Sequence, residues 1–150
     1  MSKGLSFAAL LFSALVLVPG MAHLLEMPHK MQLTQESYGT VQYIYGGWAI
    51  LGVFQIAAIV FSLLLYFRGG RPPLALVAAA LLACTLGIFF IWTYPVNRVT
   101  QNWSLVPENW ETLRIRWEYS HAAGALLELI AYILLLFAVL WRPQVRQPGL

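Results

Sequence analysis

Charged side chains are scarce in this sequence. Asp, Glu, Lys and Arg make up 10% of its 150 residues, while 60% are hydrophobic. A soluble domain carries roughly 25% charged residues, so this chain lacks the polar surface that would keep it in water. The composition therefore indicates an integral membrane protein, and the length predicts one domain that comprises residues 1–150.

Cysteine and dense positive charge are also lacking, and each absence excludes a class of protein. The one cysteine, Cys84, cannot form an internal disulfide, which excludes a membrane enzyme of the disulfide-forming type. The 9 Lys and Arg against 6 Asp and Glu give a net charge of +3. No basic patch is dense enough for nucleic acid, so the expected partner is the lipid bilayer.

Four apolar segments predict the fold. They cover about residues 5–26, 41–67, 73–94 and 117–141. Each has at least about 20 residues and can cross a hydrocarbon core about 30 Å thick. Because few residues separate them, we expect an all-α protein, a four-transmembrane-helix bundle with up-down-up-down order. The polar stretch before the last segment predicts an outer interfacial helical extension that runs into the fourth span.

Proline positions predict where the first helix ends. Pro28 disfavours a helical conformation at Met27, so this helix should end or kink just past Glu26. His29 and Lys30 would then lie in a loop, where His29 would be solvated. The alternative for this segment is a signal peptide, with a cleavage site near Ala22.

The other helix ends have signals of their own. Thr34 is the predicted N-cap of the second helix. Pro73 suits the first position of the third span, and Pro107 the first position of the helix that leads into the fourth.

The distribution of basic residues predicts the orientation. Five lie on one side of the predicted bundle and four on the other, where glutamates are mixed with them. The positive-inside rule then places both termini in the cytoplasm. We expect a bacterial inner-membrane protein with its site at the periplasmic face. The first group is Lys3, Arg68, Arg71, Arg142 and Arg146, and the second is Lys30, Arg98, Arg114 and Arg116.

Two short motifs pair a histidine with a glutamate three residues away. One is Ala22-His23-Leu24-Leu25-Glu26 and the other is Trp117-Glu118-Tyr119-Ser120-His121. Within a helix, each pair lies on one face. The order is reversed in the second motif, so antiparallel helices would bring the two His to one depth and the two Glu to another. About 20 residues separate each His from the opposite side of the membrane, which corresponds to about 30 Å of helix in both cases.

Three interpretations of this quartet remain open. Two imidazoles and two carboxylates suit iron, manganese, zinc or copper(II), and a single ion is favoured because the other helices offer no further Glu. Facing His on antiparallel spans also suit a haem held by His23 and His121. Alternatively, the four groups form hydrogen bonds between helices and hold no cofactor.

Further polar residues lie near the quartet in the sequence. Glu128 is seven residues past His121, on nearly the same face and about 10 Å deeper. It is a candidate proton relay, or a protonated acid bonded to Gln55 or to a backbone carbonyl. Arg114 is four residues before Glu118, so it pairs with that carboxylate or binds an anionic substrate group.

Three tryptophans recur every seven residues, at Trp103, Trp110 and Trp117. This spacing predicts an interfacial anchor or, alternatively, a lid over an aromatic substrate.

Several motifs together resemble one family. The resemblance covers nearly the whole chain and is to the anthrone-oxygenase-like family, a group of small four-helix membrane proteins, most of them filed as a domain of unknown function. It implies O2 chemistry on a flat, lipophilic aromatic molecule. Asn97, Trp117 and His121 match the family pattern, whereas Gly124 stands where the family often has Arg. The motifs are Ala22-His23-Leu24-Leu25-Glu26-Met27-Pro28, Val41-Gln42-Tyr43-Ile44-Tyr45-Gly46-Gly47-Trp48, Pro95-Val96-Asn97, Pro107-Glu108-Asn109-Trp110-Glu111-Thr112-Leu113-Arg114 and Arg116-Trp117-Glu118-Tyr119-Ser120-His121.

The first expected function is a metal-dependent membrane oxidoreductase or oxygenase that acts on a hydrophobic small molecule at the outer membrane face. Arg114 or Asn97 would orient the substrate and Glu128 would transfer protons. The metal ligands would be His23, Glu26, Glu118 and His121. The alternatives are a non-catalytic subunit or assembly factor of a larger membrane complex, and a bis-His haem protein of electron transfer.

Overall fold

The regular structure of this chain is helical. The computed structural model describes residues 2–70 and 72–141, and within these ranges it contains no strand. The α-helices are α1 (Lys3–Lys30), α2 (Gln35–Gln42), α3 (Leu51–Arg68), α4 (Pro73–Ile88), α5 (Tyr94–Val99) and α6 (Trp110–Leu140). Single turns of 3-10 helix, Tyr43–Tyr45 and Trp48–Ile50, lie between α2 and α3, and a π-helical turn, Phe89–Thr93, joins α4 to α5.

Four helical stretches are long and apolar enough to cross a membrane. They are Lys3–Lys30, Trp48–Arg68, Pro73–Val99 and Trp110–Leu140. This confirms the prediction of an all-helical chain with four segments of spanning length. Many of their large apolar side chains are exposed, which suits contact with lipid.

The long helices enclose one apolar core. Helix α1 packs against α3 and α6, and α4 packs against the same two helices. Ala58 and Leu65 of α3, Ala78 and Leu82 of α4, and Leu135 of α6 are fully buried in this core. Small residues such as the alanines let neighbouring backbones approach closely.

Helix α1 extends past its predicted end. Pro28 lies inside it, and the helix continues to Lys30, so of the predicted end or kink just past Glu26, the end is wrong. A proline is most costly in a helix interior, because it removes an N–H and crowds the preceding turn. Here Pro28 lies in the last turn, where Met31 N–H still donates to Met27 O at 2.9 Å. His29 is exposed as expected, but it is helical, and Lys30 is buried.

The second predicted helix is divided into two. Thr34 caps α2 as predicted, since its Oγ1 accepts a hydrogen bond from Ser37 N–H at 3.4 Å. However, α2 ends at Gln42, and a continuous helix from about residue 41 to 67 is wrong. The chain turns at Gly46 and Gly47, and Gly47 has a φ of 84° that favours glycine. The spanning stretch therefore begins at Trp48.

The third span continues past its predicted end near Tyr94. It begins at Pro73 as predicted, passes through the π-helical turn and reaches Val99. Pro95 has no N–H to donate to the carbonyl of Ile91, four residues earlier. Instead, Arg116 Nη2 of α6 donates to that carbonyl at 2.7 Å.

Helix α6 is unbroken, as predicted, but it begins at Trp110, after an N-cap at Asn109, and not at Pro107.

Candidate functional site

Two histidines meet where α1 and α6 pack together. The ring centres of His23 and His121 are 4.5 Å apart, at an angle of 50°. His23 is 6% exposed, and its Nδ1 is buried without a hydrogen-bond partner. The two histidines therefore lie side by side, as the sequence predicted.

Aromatic rings enclose the histidine pair. The centre of the Trp117 ring lies 3.9 Å from that of His121 and 5.1 Å from that of His23. Tyr45 and Trp48 cover His23 from another side, at centre distances of 4.5 Å and 5.6 Å. The site therefore combines two imidazoles with a frame of flat apolar surfaces.

Backbone and amide groups fix the α6 side of this frame. His121 Nδ1 lies 2.9 Å from the carbonyl oxygen of Trp117. Because a carbonyl only accepts, Nδ1 carries the proton, and Nε2 keeps a lone pair. Trp117 Nε1 in turn donates to Asn97 Oδ1 at 2.8 Å. Asn97, expected to orient a substrate, is thus placed where it orients Trp117.

The two glutamates of the motifs are held by a lysine. Lys30 Nζ lies 3.0 Å from Glu118 Oε1 and 3.6 Å from Glu26 Oε2. It also donates to the hydroxyl of Tyr45 at 3.2 Å. Lys30 is 4% exposed and Glu118 is fully buried, so their ion pair is internal. The hydroxyl of Tyr38 completes the network by donating to Glu118 Oε1 at 2.9 Å.

Both tyrosines of this network remain hydrogen-bond donors. Burial raises the pKa of the Tyr38 hydroxyl, and the negative charge of Glu118 raises it further. Burial also raises the pKa of Tyr45, and so does the hydrogen bond that its hydroxyl donates to Glu26. Each hydroxyl thus keeps its proton near a carboxylate.

The four predicted ligands do not surround a common point. Within residues 2–70 and 72–141, no three His, Cys, Asp or Glu side chains are grouped closely enough to hold a metal ion. The ammonium of Lys30 occupies the space between the two carboxylates. Of the two imidazoles, His121 meets one condition for a metal ligand, because its other ring nitrogen donates to a carbonyl, whereas His23 Nδ1 is buried without such a partner.

A haem does not fit between the same histidines. At roughly 2.0–2.1 Å per bond, two nitrogens on opposite sides of a metal are about 4 Å apart. The centre of each imidazole ring lies further from the metal than its bonded nitrogen. The two ring centres would therefore be much more than 4.5 Å apart, which is the distance observed. The arrangement of His23 and His121 therefore argues against the bis-His haem interpretation.

Arg114 does not form the ion pair with Glu118 that the sequence suggested. Its Nη1 donates to the carbonyls of Leu33 at 2.9 Å and Lys30 at 3.4 Å. Its guanidinium also stacks 4.5 Å from the centre of the Trp110 ring. Arg114 is buried, so it serves as a tie between α6 and the end of α1.

Glu128 lies deeper in the same interface. Its Oε2 is buried without a partner and contacts the backbone at Gly20, where a Cβ would overlap it. Gln55, the partner suggested by the sequence, instead donates to the carbonyl of Leu82 and to Thr85 in α4. That part of the prediction is wrong, and Glu128 keeps an uncommitted carboxyl oxygen.

Two of the three regularly spaced tryptophans are buried. Trp103 and Trp117 are 3% and 4% exposed, so the prediction of an interfacial anchor is wrong for them. Trp103 follows Gln101 and Asn102 in a left-handed turn with φ values of 49°, 55° and 63°. The turn packs Trp103 against Tyr38, with 4.9 Å between ring centres. The heptad spacing does not follow one helix.

Lys30, like Tyr38, Tyr45 and Trp48, is a site residue that the sequence did not predict. It lies four residues after Glu26 and seven after His23, a spacing that places all three on one helical face. This signal was present, but Pro28 pointed to a helix end before it.

Comparisons with known proteins add no family assignment. No protein-family model, no curated protein and no solved structure matches this chain. The likeness to the anthrone-oxygenase-like family therefore stays a prediction from the motifs.

Proposed function

We propose that this chain is a membrane-embedded oxidoreductase of the anthrone-oxygenase-like kind, which acts on a lipophilic aromatic substrate at the outer membrane face. One observation carries the proposal: two adjacent imidazoles lie within a frame of aromatic rings, and His121 is held with the lone pair of Nε2 free. A flat substrate can stack on such rings. His121 can then accept its proton.

The proposed reaction begins with the transfer of a proton. His121 Nε2 takes a proton from a phenolic hydroxyl or an acidic C–H of the substrate, and an electron-rich anion remains. Aromatic surroundings exclude water, which strengthens the interaction of that anion with the new imidazolium. The anion can add O2, the oxidant that the family resemblance implies, to give a hydroperoxide that takes back the proton from the imidazolium and then loses water to leave a C=O group. Glu128, about two turns deeper on α6, is the proposed second proton carrier.

A metal ion on a smaller ligand set is the alternative form of this proposal, in which Nε2 of His121 would bind the ion and would not act as the base. His23 and His121 would hold iron, copper, manganese or zinc, while Glu26 and Glu118 stay with Lys30. Such an ion would supply Lewis-acid or redox chemistry.

The finer architecture is proposed on the same basis. Short connections favour the up-down-up-down order, with α2 and residues 100–109 as an outer layer that includes the interfacial extension. Both termini would be cytoplasmic in a bacterial inner membrane, with the site at the periplasmic face. Lys3 and Arg68 support this orientation, since both are exposed at the other side. Arg71, Arg142 and Arg146, which also entered the charge count, lie outside the described residues.

The second candidate is a non-catalytic subunit or assembly factor of a larger membrane complex. The Lys30 network favours it, because its buried part, Lys30, Glu118 and Tyr38, joins α1, α6 and α2. Such contacts stabilise a fold without any reaction.

Oxygen uptake by the purified protein in proteoliposomes tests the proposal. The substrates are lipophilic phenols and polycyclic aromatic ketones, and the metal content of each sample is measured by mass spectrometry. We expect His121→Ala to lower the rate at least about 100-fold, the usual contribution of a general base. His29→Ala is the matched control, since His29 is exposed and outside the site.

The outcomes separate the candidates. Equal rates for His121→Ala and His29→Ala would contradict the enzyme. Bound metal that is lost in the double variant His23→Ala and His121→Ala would support the two-histidine ligand set. Retained folding with no uptake in any variant, together with co-purifying membrane subunits, would favour the subunit interpretation.

A further inference from the structure

The connection between α2 and α3, residues 43–50, differs from the other links between helices. It consists of two single helical turns joined by Gly46 and Gly47. Gly47 has a φ of 84°, and a Cβ added there would meet nothing within 4 Å. Glycine is the residue with the widest choice of backbone conformations, so Gly47 is the point in this connection where the backbone is least restricted. We call residues 43–50 the gate segment.

The gate segment covers one side of His23. Tyr45 and Trp48, both in this segment, lie against the His23 ring at centre distances of 4.5 Å and 5.6 Å. The other ring neighbours of His23 are Trp117 and His121 of α6, which backbone and amide groups hold in place. Of the two walls around His23, the gate segment is the one without regular helical support.

A polar contact fastens the gate segment to α1. The hydroxyl of Tyr45 donates to Glu26 and accepts from Lys30 Nζ. Bonds to charged groups are stronger than neutral ones, so this pair of bonds is the strongest polar link in the segment. On the outer side, Tyr43, Ile44 and Ile50 are exposed, and their apolar surfaces suit the lipid phase.

We propose that the gate segment opens to the lipid phase, that it admits the lipid-dissolved substrate to His23, and that the Tyr45 hydroxyl is its latch. This inference rests on the proposed function, whose substrate is lipophilic. His23 is 94% covered as it stands, since its exposed fraction is 6%. Movement of Tyr45 and Trp48 about Gly46 and Gly47 would uncover its ring on the side that faces lipid.

Cysteine labelling at position 23 tests the gate without any catalysis. The protein carries His23→Cys, and Cys84→Ala removes the native thiol. In proteoliposomes, the labelling rate is measured with N-ethylmaleimide, which dissolves in membranes, and with a charged maleimide, which does not. Tyr45→Phe removes the latch hydroxyl and keeps the ring. Tyr66→Phe makes the same change far from the site, on α3, and is the matched control.

We expect Tyr45→Phe to accelerate N-ethylmaleimide labelling about tenfold, because a hydrogen bond to a charged group is lost only in the closed form. Tyr66→Phe should leave the rate unchanged, and the charged reagent should react slowly in all variants. Glu26→Gln keeps an acceptor for Tyr45 and should give an intermediate rate. If Tyr45→Phe fails to fold, the labelling rate of Glu26→Gln tests the proposal in its place.

Two results would contradict the proposal that the gate segment opens to the lipid phase. One is an equal rate of N-ethylmaleimide labelling with and without the Tyr45 hydroxyl. The other is faster labelling by the charged reagent, which would mean access from water. Because the assay uses no substrate, a failed gate leaves the oxygen-uptake test of the enzyme undisturbed, and a failed enzyme leaves the labelling result valid.

Discussion

Removal of the Lys30 ammonium should destabilise the protein strongly. Lys30 and Glu118 are 4% and 0% exposed, with Nζ and Oε1 3.0 Å apart. In Lys30→Met, the carboxylate of Glu118 would remain buried with only the Tyr38 hydroxyl as its partner. The removal of one member of a buried ion pair costs about 3–5 kcal/mol, since the other charge is left uncompensated.

The size of the loss in stability depends on the unpaired charge of the Glu118 carboxylate. Glu118→Gln in the Lys30→Met background removes the charge, so we expect a coupling of about 1–3 kcal/mol between the two changes. Lys3→Met is the matched control, because Lys3 is exposed at the other end of α1. It should change stability by no more than about 0.5 kcal/mol.

Unfolding in mixed detergent micelles, followed by tryptophan fluorescence, measures these free energies. The chain has 6 tryptophans, and Trp117 lies 5.1 Å from the Lys30 ammonium, so the signal reports on this region. If Lys30→Met lowers the free energy of unfolding no more than Lys3→Met does, the ion pair is not internal. The same conclusion follows if the effects of Lys30→Met and Glu118→Gln are strictly additive.

Three further predictions use the same unfolding assay. Gly20→Ala should gain less than the roughly 1 kcal/mol by which a helix favours Ala over Gly, because its Cβ would displace the Glu128 carboxyl, and should show the full gain in a Glu128→Ala background; equal gains in both would contradict this contact. Gln101→Gly should stabilise by about 1 kcal/mol, since Gln101 has a φ of 49°, and a loss of stability would show that the left-handed turn is not strained. The pKa of Tyr38 is raised in the folded protein, so above about pH 10 the unfolded chain ionises first and stability falls as pH rises. Tyr38→Phe should reduce that slope.

The sequence predicted the features that follow from average composition and helical period. Four spanning segments follow from long apolar runs. The meeting of His23 and His121 follows from equal numbers of residues to the opposite side of the membrane, which a regular helical rise converts into equal depths. Such arguments sum over many residues, so a single irregularity does not alter them.

Local rules failed where tertiary contacts decided the outcome. Pro28 disfavours a helix locally, yet the burial of Lys30 against Glu118 favours one more turn. That turn places the Lys30 ammonium between Glu26 and Glu118, two of the predicted metal ligands. The wrong prediction of one helix end therefore carried over to the predicted site. Likewise, the positive φ of Gly47, which divides the second predicted helix, is not visible in the sequence.

The π-helical turn Phe89–Thr93 sets the rotational register of everything that follows it in the third span. Its bonds run from each N–H to the carbonyl five residues earlier, so it accommodates one residue more than an α-helical turn. One residue corresponds to about 100° of rotation in an α-helix. A single-residue deletion within this turn would therefore rotate Asn97 by about that angle, away from Trp117 Nε1. The orientation of the ring that packs on His121 thus depends on a one-residue surplus about one helical turn before Asn97.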